Sequence, residues 1–343
     1  MTDSTPLLSI TIPTWNRATF LRETLMQLHN ELQDVAAGMV EIVVSDNWSQ
    51  DTTSTVVEQA MQAGLALSYI RNHENIGSDA NIAQCFNRAQ GKYVLILGDD
   101  DLLVDGALRL LLQHLIGHEY GVVCLRPYGF ESDFRKEYPG SGGNETVFND
   151  SGKFLAAIGP LVTLISSCVI NKGCLGQLDA NQFCGGNLVQ VHLVIRAAFT
   201  THKNLFLNRY LIACKRNNSG GYDFSAIFVK ELGRILDSYK TIGLNTEAIK
   251  AIEQRLIIGY YPFYLLRQRL TASGDLAVTF ANFKVSFDGS MLFHLWLAPI
   301  IKLPRPLAIC WGAGATMIGR IVNGDFKRGL AFATNRLLSR RRQ

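Results

Sequence analysis

The chain has 343 residues, 48% hydrophobic and 18% charged, with a formal net charge of +4. That length admits two compact units or one large one, and the composition excludes disordered and collagen-like classes. The charge is uneven: from Lys302 onward nine Lys or Arg stand against Asp325 alone, which puts +8 in that segment and leaves −4 for the rest. Seven scattered cysteines without a CxxC pair argue against a disulfide framework or structural zinc and for a reducing compartment. The opening MTDSTPLLSITIP has no basic segment before its apolar run, so it does not read as a signal peptide, and a cytoplasmic location is expected.

Leu7–Ile12 is an apolar run closed by Pro13, as a buried parallel strand should read. After Asn16-Arg17, a helix is predicted from Phe20, Leu21, Leu25, Leu28 and Leu32. A second strand, Val40–Val44, ends in Ser45-Asp46-Asn47, and Ser49-Gln50-Asp51 opens the next helix. Leu67–Ile70 is a third strand, followed by Arg71–Gly77 and a helix over 78–90. Strand Tyr93–Leu97 then runs into Gly98-Asp99-Asp100-Asp101, ahead of a helix over 105–116 and a strand Val122–Leu125. This alternation predicts a right-handed parallel βαβ array, an α/β fold whose polar strand ends converge on one crevice.

Three consecutive carboxylates after a buried strand repel one another and lose hydration. A divalent cation offsets that cost and keeps positions open for phosphate oxygens. The alternative is an acidic turn with Asp capping the next helix. Neither GxGxxG nor GxxxxGK[ST] occurs, which leaves a nucleotide pocket where metal rather than a glycine nest meets phosphate charge. Asp46 suits a base with a ring N–H to donate.

Four motifs carry a resemblance: Leu8–Arg17; Glu41–Asn47 with Ser49-Gln-Asp51; Asn75-Ile-Gly77 with Asn81; and Gly91–Asp101. Together they resemble the family 2 glycosyltransferases of the GT-A fold over about residues 7–125, and the GDDD form is similar to enzymes of bacterial O-antigen and capsule assembly, including the abequosyltransferase-like group. The resemblance implies a Rossmann-like, mostly parallel sheet flanked by helices. It further implies that Pro13, Thr14 and Arg17 line the base and phosphate side and that Asp46 contacts the base. Asp99 would contact the ribose or the metal's water shell, and Asp101 would ligate Mn²⁺ or Mg²⁺ on the diphosphate of a nucleoside-diphosphate sugar, with Asp100 beside them and Asp101 catalytic through the metal. Arg71 is expected either to assist phosphate or to pair with Glu74. Asn75, Gly77 and Asn81 would shape the pocket, while Ser78-Asp79 also reads as a plain helix cap.

The stretch Tyr128–Asn149 reads as a mobile loop over the acceptor site or as a solvated connector. Thr163–Ile170 is predicted as a strand with Ser166 and Ser167 at its centre, beside the sugar pocket. Family members with an inverting mechanism usually carry an acidic base after this point, but no carboxylate lies between Asp179 and Asp223 here. His192 is the candidate base by its chemistry, against a packed histidine in an apolar helix. Asn187 and Gln190, on one helical face, are able to bind a sugar hydroxyl instead. Asn204–Lys215 is expected to return to the sheet, and Lys215–Tyr222 to form a basic loop over diphosphate, with Tyr222 stacking on a sugar, or an ordinary exposed turn.

Residues 225–242 and 246–270 are amphipathic helical patterns, and Tyr260–Tyr264 is an aromatic cluster with a proline. Met291–Ile301 and Pro306–Ile318 are apolar but each too short to span a bilayer. With Phe326–Arg342 they suit an anionic membrane surface, against a buried hairpin or a dimer interface. The expected organisation is a nucleotide-sugar half (1–127), an acceptor half (128–222), a helical extension (223–290) and a basic membrane-associating tail (291–343). The function expected is metal-dependent transfer from a nucleoside-diphosphate sugar to a glycan acceptor linked to polyprenyl diphosphate, at the cytoplasmic face of the inner membrane, with no nucleic-acid partner. Its rivals are a non-catalytic sugar-nucleotide-binding scaffold and a sugar nucleotidyltransferase.

Overall fold

The computed structural model describes residues 5–140, 142–216, 221 and 223–322. The chain divides into two compact units at Gly221/Tyr222.

The first unit opens as β1 (Leu8–Thr14), α1 (Ala18–Leu32), β2 (Val40–Asp46), α2 (Thr53–Gln62), β3 (Ser68–Arg71), α3 (Ser78–Arg88) and β4 (Tyr93–Ile96). These strands pair in parallel in the order β3-β2-β1-β4. Both faces of β1 are covered: Leu8, Ile10 and Ile12 are buried, and so are Ser9 and Thr11 between them. Burial of both faces marks an interior strand of a parallel sheet, since neither face meets water. The register aligns Thr14 with Asp46 and Asp46 with Arg71, so the polar ends of three strands lie side by side.

The chain continues as β5 (Asp101–Leu103), α4 (Ala107–Leu115), β6 (Val122–Phe130), β7 (Glu145–Phe148), α5 (Ser151–Ile158), β8 (Cys168–Asn171), α6 (Val189–Thr201) and β9 (Asn204–Lys215). The sheet extends β4-β8-β6-β9-β5, and β7 also pairs with β9. This half of the sheet departs from the parallel pairing of β1 to β4. β8 runs antiparallel to both β4 and β6, and β5 and β7 run antiparallel to β9. The sheet is therefore mixed and mostly parallel.

Two expectations change. The predicted strand Thr163–Ile170 is a pair of 3₁₀ turns, Gly159–Thr163 and Ile165–Ser167, before β8 begins at Cys168. Pro160 and the hydroxyls favour turns, and the apolar letters reflect burial rather than extension. The predicted loop after Tyr128 is partly core: β6 runs on to Phe130, and Tyr128, Phe130, Phe134 and Tyr210 are buried together.

The second unit is helical: α7 (Leu232–Ser238), α8 (Thr246–Arg255), α9 (Tyr261–Thr271), α10 (Leu276–Phe287), α11 (Ala298–Lys302) and α12 (Arg305–Val322). π-Helical turns at Leu256–Tyr260 and Phe293–Leu297 each precede a proline, Pro262 and Pro299. Proline has no N–H for the carbonyl four residues back, and a widened turn accommodates the loss. The aromatic cluster packs: Phe224 stacks on Tyr264 at 3.8 Å, and the buried Tyr261 donates to the Phe228 carbonyl at 2.8 Å.

Helix α12 buries Ala308, Gly312, Ala315 and Gly319. A Cβ on Gly319 would meet the Ile258 carbonyl oxygen at 2.4 Å, so only glycine permits that approach. Leu307, Trp311, Ile318 and Ile321, on the other side, are exposed. Among the described residues no helix is long and apolar enough to cross a membrane.

Candidate active site

Asp99, Asp100 and Asp101 follow β4, and each is handled differently. Asp99 is buried; its Oδ2 accepts from Thr14 Oγ1 at 2.8 Å and its Oδ1 lies 3.3 Å from the Arg17 guanidinium. Asp100 pairs with the same guanidinium at 2.7 Å. The buried Asp101 accepts from Ser166 Oγ, and that oxygen in turn accepts from the Gly98 N–H at 2.9 Å. Ser166 is presented from the second 3₁₀ turn, Ile165–Ser167.

Burial pushes the Asp99 carboxyl up to about 7, partly offset by Arg17 and Thr14. The Asp101 carboxyl is pushed up for the same reason, reinforced by Asp100 and opposed by Ser166. Arg17 is one cation among three carboxylates, so the cluster is short of positive charge. Among the described residues no group of three His, Cys, Asp or Glu is placed to hold a metal by itself. That arrangement fits a divalent ion carried by one or two carboxylates and completed by substrate phosphates and water.

Asp46 is fully buried at the end of β2. It accepts from the Ser49 N–H at 2.8 Å and from Tyr69 Oη at 2.6 Å, and Arg71 Nε lies 3.6 Å away. Arg71 thus pairs with Asp46 rather than Glu74, and it also donates to the Ser49 carbonyl at 2.8 Å. Its guanidinium sits 5.1 Å from the ring centroid of the half-exposed Trp48, whose φ of 68° is uncommon for a bulky residue. Pro13 lies level with Ser45 in the β1–β2 pairing.

Asn47 ties the loop before α3. Its Oδ1 accepts from the Ile76 N–H at 2.9 Å and from Asn72 at 3.1 Å, and its Nδ2 donates to Asn75 Oδ1 at 2.8 Å. Asn75 also accepts from the Gly77 N–H, and Gly77 adopts φ +87° at the start of α3. Asn81 exchanges two hydrogen bonds with Ser45. Pro13, Thr14, Arg17, Asp46, Arg71, Asn75, Gly77, Asn81 and the Asp triplet therefore gather around the carboxyl ends of β1 to β4.

Asp79 is not a helix cap. It is buried, and its Oδ2 accepts from the Gly185 and Asn187 N–H groups, each at 2.7 Å. Asp179, the nearest acid in sequence to the glycine turn, instead accepts from Asn87 at 2.7 Å. His192, on α6, stacks on Phe183 with centroids 4.6 Å apart and planes 5° apart, so one ring face is taken by packing. Of the loop Lys215–Tyr222, residues 217–220 and 222 lie outside the described residues, as does Phe326–Arg342.

Sequence reasoning missed two polar residues on the buried face of α1. Thr24 Oγ1 donates to the Asp99 carbonyl at 2.8 Å, and Gln27 donates to the Leu103 carbonyl at 3.0 Å. Their signal was legible: Thr24 and Gln27 share the stripe of Leu21, Leu25 and Leu28, where a polar side chain needs a partner.

Residues 9–172 match the family model described as Glycosyl transferase family 2. A Campylobacter jejuni GalNAc(5)-diNAcBac-PP-undecaprenol beta-1,3-glucosyltransferase is 31% identical over 40% of this chain and 43% of its own length, less than half. The Salmonella typhimurium abequosyltransferase RfbV is 26% identical over 62% of this chain and 67% of its own. Among solved structures, Staphylococcus aureus TarS 1–349 in complex with UDP-GlcNAc superposes with a TM-score of 0.60 at 16% identity, covering 92% of each chain. The mannosyltransferase PcManGT from Pyrobaculum calidifontis, in complex with GDP-Man and Mn²⁺, gives 0.52 at 16% identity over 94% of this chain and 88% of that one. The GT-A fold expected from the motifs is the fold observed.

Proposed function

We propose that this chain, whose residues 9–172 match the glycosyl transferase family 2 model, is a metal-dependent glycosyltransferase that moves a sugar from a nucleoside diphosphate to a glycan acceptor. One observation carries the proposal: the Asp99–Asp101 cluster, braced by Thr14, Arg17 and Ser166, lies at the carboxyl ends of β1 and β4 with one cation for three carboxylates. When bound, Mn²⁺ or Mg²⁺ stabilises the leaving diphosphate as a Lewis acid. Asp99 and Asp101 would hold it, and Arg17 would offset the remaining carboxylate charge. Asp46 and Arg71 shape the base side, with Pro13 on the adjoining strand; Asn75, Gly77 and Asn81 fix the wall that α3 begins. His192, stacked on Phe183, carries no step.

The acceptor in this reading is linked to polyprenyl diphosphate, and the second unit brings the enzyme to an anionic bilayer surface. The support is α12, whose Leu307, Trp311, Ile318 and Ile321 form one exposed stripe with Arg305 and Arg320 on the same helix. Apolar side chains flanked by cations suit the headgroup boundary. The chain continues with Lys327, Arg328, Arg336 and Arg340–Arg342, which adds attraction to anionic lipid. The C. jejuni relative's name specifies an undecaprenol-linked glycan, in keeping with such an acceptor.

Thermal unfolding with UDP-, dTDP-, GDP- and CDP-sugars, each with and without Mn²⁺, tests the donor site. One nucleotide sugar should raise the melting temperature only when Mn²⁺ is present, because a ligand that binds only the folded state stabilises it. Stabilisation by none of them at millimolar concentration overturns the proposal.

A further inference from the structure

Asp79 and Gln190 leave two buried oxygens without hydrogen-bond partners. Asp79 is 8% exposed and uses Oδ2 for the Gly185 and Asn187 N–H groups, while its Oδ1 has no partner. Gln190 is 5% exposed and donates from Nε2 to the Thr163 carbonyl at 2.7 Å, while its Oε1 has no partner. An unpaired buried acceptor costs free energy, and native structures rarely keep one without a use. Here there are two, each on the second residue of its helix, α3 and α6. The Asp79–Asn187 hydrogen bond joins the N-terminal ends of those helices, three residues before Gln190.

The same connections lead to the diphosphate end. Gln190 holds Thr163, and Ser166, three residues on, holds Asp101. Ser167, the next residue, is buried and its hydroxyl is also without a partner. A ligand that meets these oxygens must bring donors for Asp79 and Gln190, and one that meets Ser167 must bring it a partner. A sugar ring supplies these, since each hydroxyl both donates and accepts.

Resting on the proposed transferase reading, we propose that Asp79 and Gln190 form the subsite that reads the hydroxyls of the transferred sugar. The turn Phe183–Asn187 has no carboxylate of its own, and Asp79 supplies one from 106 residues upstream. Because one Asp79 oxygen clamps that turn, sugar recognition and the position of the turn depend on the same side chain.

Asp79→Asn is the test, in the full-length protein. The amide oxygen retains the two N–H groups and the amide nitrogen replaces the unpaired oxygen, so the clamp survives while the charged acceptor is lost. Wild type and variant are titrated in Mn²⁺ with four pairs: UDP and UDP-glucose, GDP and GDP-mannose, dTDP and dTDP-glucose, CDP and CDP-glucose. For the pair that wild type binds, the variant should lose about tenfold affinity for the nucleotide sugar, with the free diphosphate unchanged. Equal weakening of both, or no change in either, overturns the subsite. Binding of none of the eight by wild type overturns the donor reading itself, and the subsite with it. Gln190→Met should show the same split and serves if Asp79→Asn does not fold.

Discussion

The two units use their interiors in opposite ways. The first buries polar side chains at the strand ends: Thr14, Ser45, Asp46, Asn47, Asp79, Asn81, Asp99 and Asp101. In the second, the buried polar side chains among the described residues are Ser225 and Thr279. Its outside is the apolar part, with Val285, Met291, Leu295, Leu307 and Val322 all more than half exposed. Buried polar groups are costly unless a partner or ligand completes them, and exposed apolar stripes are costly unless a surface covers them. In the proposed reading, a small polar ligand completes the first unit and a lipid surface covers the second.

The sharpest way to break that contrast is at Asp101. Asp101→Asn should lower the transfer rate by about 10²–10³-fold. The folded state should be at least as stable, because a buried carboxylate pushed upward by burial disfavours folding when ionised. Turnover and denaturant unfolding measured together check both halves. Loss of stability in step with activity would make Asp101 structural.

The next effect belongs to the second unit. Replacing Leu307, Trp311 and Ile318 together by Ser should reduce binding to anionic lipid vesicles by at least about tenfold, since even shallow insertion of three side chains yields a fraction of the roughly 1.5–3 kcal/mol that full burial of each would give. Nucleotide binding should be unchanged, and co-sedimentation beside nucleotide titration reads both. Vesicle binding equal to wild type would assign the stripe to something other than lipid.

The smallest effect is a pH slope in metal-free protein. Asp99 has a carboxyl raised from its ordinary 3.8 to about 7, facing Arg17, Thr14 and Asp100. Between those values the folded state holds a proton that the unfolded chain has released. Stability should therefore fall as pH rises from about 4 to 7 and level off above. Melting temperatures across pH 5–8 should slope less in Asp99→Asn than in wild type; equal slopes would remove Asp99 as the source.

Much of this was legible in local sequence because local physics sets it. The run at Tyr93–Ile96 is apolar on both faces because both faces are covered, and the Asp triplet stands out because adjacent carboxylates are expensive. The second half of the sheet was less legible. Apolar Thr163–Ile170 looked like a strand, but burial leaves the same letters in a turn, and no local signal says that β8 enters antiparallel beside β4.

The chain alone determined the βαβ half, the acidic cluster at its strand ends and the uneven charge, since each depends on neighbours in sequence. The tertiary structure alone decided the partners. Ser166 reaches Asp101 across 65 residues, Arg71 turns to Asp46 rather than Glu74, and Asp79 crosses 106 residues to a glycine turn that lacks an acid. Hydrogen-bond partners are chosen by proximity in space, and proximity across a sheet is set by strand order, which no stretch of sequence states by itself.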